Sequence, residues 1–282
     1  MAVVAYPPQR QLSVGEVLDL SFRIYRACVG KCLLLAGLGV LAGQLGNIYA
    51  AIKGRPLVQQ GQGAWVAVLA QYRDPAMITL VIVGGILAAV FYAAVLLREH
   101  NISGGGSVGG EVGTAVRRVP AIIALFFLIG AGLLALFVPA MVTGGGARAL
   151  LSLAAVLVLC YAFVAVSCAQ TILLVDEAGP IASLTRSLRL TSGSFWRLSV
   201  IYTVALIILF VLYVVIGAIA GFVGAVLGRG DVAVFTASTE VLAVALGALA
   251  TPFYGALALA VLADLKVRKE GADLEQRIST TA

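Results

Sequence analysis

Residues 179–217 read GPIASLTRSLRLTSGSFWRLSVIYTVALIILFVLYVVIG. Three arginines, Arg186, Arg189 and Arg197, stand immediately ahead of the longest apolar run in the chain. On a helical wheel Thr185, Arg186, Arg189 and Ser192 share one side, while Ile181, Leu184, Leu188 and Phe195 share the other. Pro180 suits the first helical turn. The pattern is that of an amphipathic helix lying in the headgroup layer and turning down into the bilayer, its arginines attracted to anionic lipid by on the order of 1 kcal/mol each. Trp196, at the turn, fits an aromatic interface anchor.

The rest of the chain has the composition this requires. Of its 282 residues 61% are hydrophobic and 11% charged, and the mean hydropathy is +1.07. So few ionisable side chains cannot cover a soluble core of this size, so lipid must face much of the surface. With about 20 apolar residues needed per crossing, spans are expected near Leu33–Ile52, Met77–Leu97, Pro120–Val142, Leu150–Val175, Leu198–Leu227 and Val241–Leu262. Pro252 should kink the sixth. The opening MAVVAYPPQRQLSVGEV lacks the apolar core of a cleavable signal peptide, so the first apolar run is expected to stay as an anchor.

A six-span threading sorts the basic residues. Lys53, Arg55, Arg73, Arg148 and Arg229 fall on one side, and the remaining fourteen of the nineteen Lys and Arg on the other. The richer side should be cytoplasmic, with both termini there. The net charge of +6 is then explained by headgroups and orientation, without a nucleic-acid partner.

The elbow recurs. Before the first span Glu16, Asp19, Arg23 and Arg26 form a charged stripe opposite Val14, Val17, Leu18, Phe22 and Tyr25. An offset of 166 lays Leu18 on Leu184, Ser21–Tyr25 on Ser187–Thr191 and Lys31 on Arg197. A weaker copy, GGEVGTAVRRVP at 109–120, precedes the third span. The expected architecture is all-α: one integral membrane domain over 1–282, with six transmembrane helices and three interfacial helices. They form elbow-plus-two-spans units at about 12–98, 107–176 and 177–265, followed by a tail at 266–282. Arg23, Arg26, Lys31, Arg186, Arg189, Trp196 and Arg197 are the expected headgroup residues.

Chemistry-bearing motifs are few. Gly104, Gly106 and Gly109 satisfy G-x-G-x-x-G, but no strand precedes them, and a flexible linker is the better reading. Cys28, Cys32, Cys160 and Cys168 lack metal-ligand spacing and read as small packing residues. Gly39 with Gly43, Gly217 with Gly221, and Gly224 with Gly228 are small pairs four apart that allow helices to approach, here expected within the chain. Intramembrane polar candidates for a transport path are Gln44, Asn47, Gln170 and Glu240. The only histidine, His100, follows Arg98 and Glu99 in what reads as a solvated loop. No catalytic residue, cofactor or metal is indicated.

The tail ADLKVRKEGADLEQRI, Ala263–Ile278, resembles the YDLRxRxEGFDLE ending of bacterial six-span proteins of the glycerophosphoryl diester phosphodiesterase membrane domain family, through Asp264, Leu265, Arg268, Glu270, Gly271, Asp273, Leu274 and Glu275. SVGEVLDLSFRIYRACVGK and SLRLTSGSFWRL are similar to that family's GEILDxAFxLYRxNF and SWRLTRGRFWRL segments. Ala263, Ala272 and Ser194 depart from its usual tyrosine, aromatic residue and arginine. The resemblance implies the membrane part alone, because the associated phosphodiesterase resembles a TIM barrel of about 250 residues using a metal and two histidines. The functional expectation is a non-enzymatic scaffold or accessory subunit of a bacterial inner membrane, with lipids and a membrane protein as partners. Asp264 would pair with an elbow arginine such as Arg189. The alternative is a transporter or lipid-handling protein whose units enclose a cavity, and a glycerophosphodiester enzyme is a third reading.

Overall fold

A computed structural model describes residues 6–8, 10–53, 74–102, 107–228 and 232–271. Asp273, Gly104 and Gly106 lie outside the described residues, as does the side chain of Glu240. The described chain is helical: α1 (Val14–Gly43), α2 (Leu45–Ile52), α3 (Pro75–His100), α4 (Val108–Arg117), α5 (Val119–Val142), α6 (Gly145–Val166), α7 (Ala169–Val175), α8 (Pro180–Thr191), α9 (Phe195–Gly228) and α10 (Val232–Glu270). Six stretches are long and apolar enough to cross a membrane: Val14–Gly43, Pro75–His100, Val119–Pro139, Gly145–Val175, Phe195–Gly224 and Val241–Glu270. The protein is a multi-pass helical bundle.

Local chemistry sets the helix starts. Ser13 caps α1 in a reciprocal box, its hydroxyl accepting from the Glu16 amide (3.3 Å) while the Glu16 carboxylate accepts from the Ser13 amide (2.7 Å). Asp74 caps α3, whose first residue is Pro75. Pro120 and Pro180 occupy the first turns of α5 and α8. The second elbow is set off from its span at Arg118, where Pro120 opens α5, and the third at Ser192–Ser194, where Gly193 takes φ +76. The first is not: α1 runs unbroken from the charged stripe into the span, because no proline or turn lies between Phe22 and Leu35 to stop it. Pro252 sits inside the continuous α10, where the Thr251 hydroxyl donates to the Gly247 carbonyl at 2.7 Å.

The centre of the bundle is α1, α3 and α10. Small residues let their backbones close up. A Cβ at Gly84 would strike the Ala42 carbonyl oxygen, and one at Gly39 would come within 3.0 Å of the Phe91 Cβ. Around them Cys28, Cys32, Leu35, Ala93–Leu97 and Leu259 are buried. A second cluster, with Val17, Ile24, Ile172, Leu190, Leu198 and Leu257, ties in α7, α8 and the start of α9. Of the cysteines Cys160 is exposed and the other three are buried, so the packing role expected of all four holds for three.

The remaining spans are covered far less. In the most apolar 18 residues of α3 and of α10 39% are buried, against 11% in α5 and 0% in α9, whose buried Leu198, Ile201, Tyr202 and Ala205 all lie in its first turns. Gly217 and Gly221 on α9 have nothing within 4 Å of a built Cβ. The small pair expected to pack within the chain therefore does so at Gly39 and Gly43, where Phe91 and Ala88 are the neighbours, and not at Gly217 and Gly221.

Candidate functional site

Both ends of the described chain meet at one end of the bundle, and a network of ionic side chains joins them. Asp264, in the penultimate turns of α10, is 1% exposed. Its carboxylate accepts from Arg197 of α9 at 2.5 Å, from the Arg268 Nε at 3.0 Å and from the Leu12 amide at 2.8 Å. Arg197 also donates to the Leu12 carbonyl at 2.7 Å, and Arg268 to the Gln11 side chain at 3.2 Å. A buried carboxylate with this many donors is compensated for its lost hydration, and it staples the N-terminal segment and α9 onto α10.

The second node is Asp176, which follows α7. It accepts from Arg186 of α8 at 2.8 Å and from Lys266 of α10 at 2.5 Å. Arg186 also grips Glu270 through two parallel bonds, of 2.9 and 2.7 Å. That partner holds the guanidinium pKa above its ordinary value. Arg98 reaches Glu111 of α4 at 2.8 Å, and Arg118 reaches Glu177 at 3.0 Å. These pairs tie the ends of α3, α4, α7, α8 and α10 to one another. Tyr6 folds back over His100, with ring centroids 5.9 Å apart at 88°, and burial raises its phenol pKa.

The expected headgroup residues divide into two groups. Arg23, Arg26, Lys31, Arg189 and Trp196 are exposed. Arg186 and Arg197 are committed to carboxylates, so they fasten helices together rather than presenting free charge. The elbow arginine that meets Asp264 is Arg197; Arg189 lies instead 3.8 Å from Glu270. The α8 helix buries Ser183, Ser187, Leu190 and Thr191 and turns Ile181 and Leu188 outward. The Ser187 and Thr191 hydroxyls both donate to the Ala165 carbonyl, at 2.8 and 3.3 Å. Gly271 ends α10 at φ +64.

The intramembrane polar candidates do not converge. Gln44 and Asn47 bond to each other at the α1–α2 junction, and Gln170 is half-buried on α7. None of the described cavities is lined by them. The solvated loop expected around Arg98, Glu99 and His100 is instead the last turn of α3, where His100 is half-buried and Glu99 is fully buried with neither oxygen partnered in the described structure. It faces Gly255 of α10, where a Cβ would collide with it. Asp176 was passed over, and Lys266 and Arg98 were read only as basic residues of the inner side. Their partners are 10 to 90 residues away, and only Lys266, in the basic tail, carries a sequence signal.

Three cavities are described, the smallest, of about 260 Å³, lying between α1 and α3 beside Gly39 and Gly43. A polar cleft of about 440 Å³ at the networked end is lined by His100, Asn101, Ser107, Glu111, Thr114 and Glu177, among others. An apolar groove of about 360 Å³ lies between α5, α6 and α8. Among the described residues no group of three His, Cys, Asp or Glu side chains is placed to hold a metal. Comparison of the chain with protein-family models, curated proteins and solved structures gives no match.

Proposed function

We propose that the protein is a non-enzymatic scaffold or accessory subunit of a bacterial inner membrane, with both termini cytoplasmic. The observation that carries this reading is α9. It is a 34-residue helix held at its first turns by Arg197 and by packing of Leu198 and Ile201, yet from Leu206 to Ile219 no residue is buried by its own chain. Gly217 and Gly221, four apart on that uncovered helix, leave a shallow face on which a partner's transmembrane helix can seat by close packing. The basic asymmetry of the sequence supports the orientation. The resemblance to the membrane domain supports the class: its quoted segments supply Ser13, Arg197, Asp264, Arg268 and Glu270, which all belong to the network or to the cap beside it.

The test replaces Gly217 and Gly221 together by leucine and compares the proteins crosslinked from a photoreactive residue at position 213 in intact cells. The partner crosslinked to the wild-type chain should be lost from the variant, with unfolding free energy kept within about 0.5 kcal/mol. The same partner in equal yield from both, or none from either, argues against docking through α9. Reporter fusions at both termini should respond from the same, cytoplasmic, side. Metal-dependent hydrolysis of glycerophosphodiesters by the purified chain would overturn the non-enzymatic assignment.

A second reading, lipid handling, is favoured by one observation, the apolar groove beside α8.

A further inference from the structure

The carboxylates of the network sit against cations: Asp264 against Arg197 and Arg268, Asp176 against Arg186 and Lys266, Glu111 against Arg98. Glu99 has no such company. It is 0% exposed, and neither of its oxygens has a hydrogen-bond partner in the described structure. The titratable groups around it are thiols and phenols: Cys28, Cys32 and Tyr25 of α1, Tyr6 of the N-terminal segment and Tyr92 of α3. Its neighbours in the chain point elsewhere, Arg98 to Glu111 at 2.8 Å and His100 to the Tyr6 hydroxyl at 3.4 Å. On the α10 side the carboxyl fills the notch left by Gly255, where a Cβ would collide with it.

Gly255 lies about 13 Å along α10 from Asp264, within the apolar stretch Val241–Glu270, so the carboxyl reaches into the span. An ionised carboxylate buried there and facing no cation costs more than its surroundings return, and such a group neutralises instead. A leucine would fill the place without that cost, so an unpartnered ionisable side chain at this depth marks a site for an ion. Among the described residues no three His, Cys, Asp or Glu side chains are placed to hold a metal, whereas a proton needs one carboxyl alone. We propose that Glu99 is a proton-binding site: its carboxyl holds one proton while α10 closes over it at Gly255, and releases that proton to water when the α3–α10 contact opens. On release the O–H bond breaks, its electron pair stays on the carboxylate, and the entering water takes the proton and hydrates the charge. The site is built by α1, α3 and α10 and does not depend on docking through α9.

The experiment uses the full chain in mixed micelles and compares wild type with Glu99→Gln, which keeps the shape of the neutral acid and binds no proton; Glu99→Leu serves as a second reference. The unfolded chain releases the Glu99 proton near pH 4.3, and the folded chain keeps it, so folding takes up one proton at neutral pH. Stability gained in this way is lost as the pH rises. The folding equilibrium constant of wild type, divided by that of either variant, should therefore fall about tenfold per pH unit between about pH 5.5 and 7.5. Groups that titrate alike in the two proteins, His100 among them, cancel in the ratio. A ratio that stays level over this range means that Glu99 is ionised in the folded chain and overturns the proposal. Infrared spectra at pH 7 read the proton directly: the carbonyl stretch of a protonated carboxyl should be present in wild type and missing from both variants, and equal spectra overturn the proposal too. Opening is read by deuterium uptake in the α10 peptide around Gly255, taken at each pH relative to Glu99→Gln. The relative uptake should rise with pH through the loss of the carboxyl stretch; uptake that does not change there refutes the coupling of proton release to the α3–α10 contact.

Discussion

Replacing Asp264 by alanine removes the acceptor shared by Arg197 at 2.5 Å, Arg268 at 3.0 Å and the Leu12 amide at 2.8 Å. Breaking a buried ionic cluster from one side costs about 3–5 kcal/mol, because the partners are left desolvated and unpaired. Here the two guanidiniums keep 21% and 27% of their surface, so water partly replaces the lost acceptor and the low end applies, about 3 kcal/mol. Reversible unfolding in mixed micelles measures it, and limited proteolysis of the N-terminal segment follows the loss of the staple at Leu12. A double-mutant cycle assigns the partner. Asp264→Ala with Arg197→Ala should show a coupling of about 1–3 kcal/mol, whereas Asp264→Ala with Arg189→Ala should be additive within about 0.5 kcal/mol. A loss below about 1 kcal/mol for Asp264→Ala, or a larger coupling to Arg189 than to Arg197, would refute the account of this network.

At the α1–α3 contact Gly84→Ala should lower stability by about 1–3 kcal/mol, since its Cβ meets the Ala42 backbone; the neighbouring Gly85→Ala, which meets nothing, should be neutral or stabilising by up to about 1 kcal/mol. Equal effects in the same unfolding assay would contradict the packing. Glu99→Leu should raise stability by about 1 kcal/mol or more, because the buried carboxylate has no partner in the described structure. Gly255→Ala should destabilise in the wild-type background but much less beside Glu99→Ala, where the obstructing carboxylate is gone; additivity of the two would mean that they do not touch. Arg23→Gln with Arg26→Gln, both exposed, should leave unfolding within about 0.5 kcal/mol and lower the affinity for anionic over neutral vesicles in flotation assays of short peptides spanning residues 13–31, roughly fivefold per charge.

The spans were legible in the sequence because hydrocarbon thickness imposes one length on all of them. The expected Met77–Leu97 lies inside the observed Pro75–His100, and the expected Pro120–Val142 inside the helix Val119–Val142. The elbows were legible only where a local breaker marks them. Pro120 leaves a signal between elbow and span, Pro180 marks only the start of its elbow, and the first elbow, with neither proline nor turn before Leu35, joins its span. The inward face of α8 carries no hydrophobic signal: Ile181 and Leu188 lie outward, and the inward side carries hydroxyls that satisfy the Ala165 carbonyl. The ion network has no periodic signature. Arg197 and Asp264 are 67 residues apart, Lys266 and Asp176 are 90 apart, and only the assembled bundle brings them together.

The same physics explains why covering is uneven among the spans. Lipid tails are as apolar as leucine, so helices associate in a bilayer through close packing and polar bonds rather than through exclusion of water. In α1, α3 and α10, Gly39, Gly84 and Gly247 supply the close packing along the length of the spans. In α5 and α9 the glycines at 130, 132, 217 and 221 meet no neighbour. These helices are instead held near the networked end, through Arg118 to Glu177 and Arg197 to Asp264, while α6 is tied to α8 through the Ala165 carbonyl. Polar attachment at one end fixes where each helix enters the membrane and leaves its apolar flank uncovered by the chain. That division leaves the Gly217 and Gly221 flank of α9 open to the partner helix proposed above.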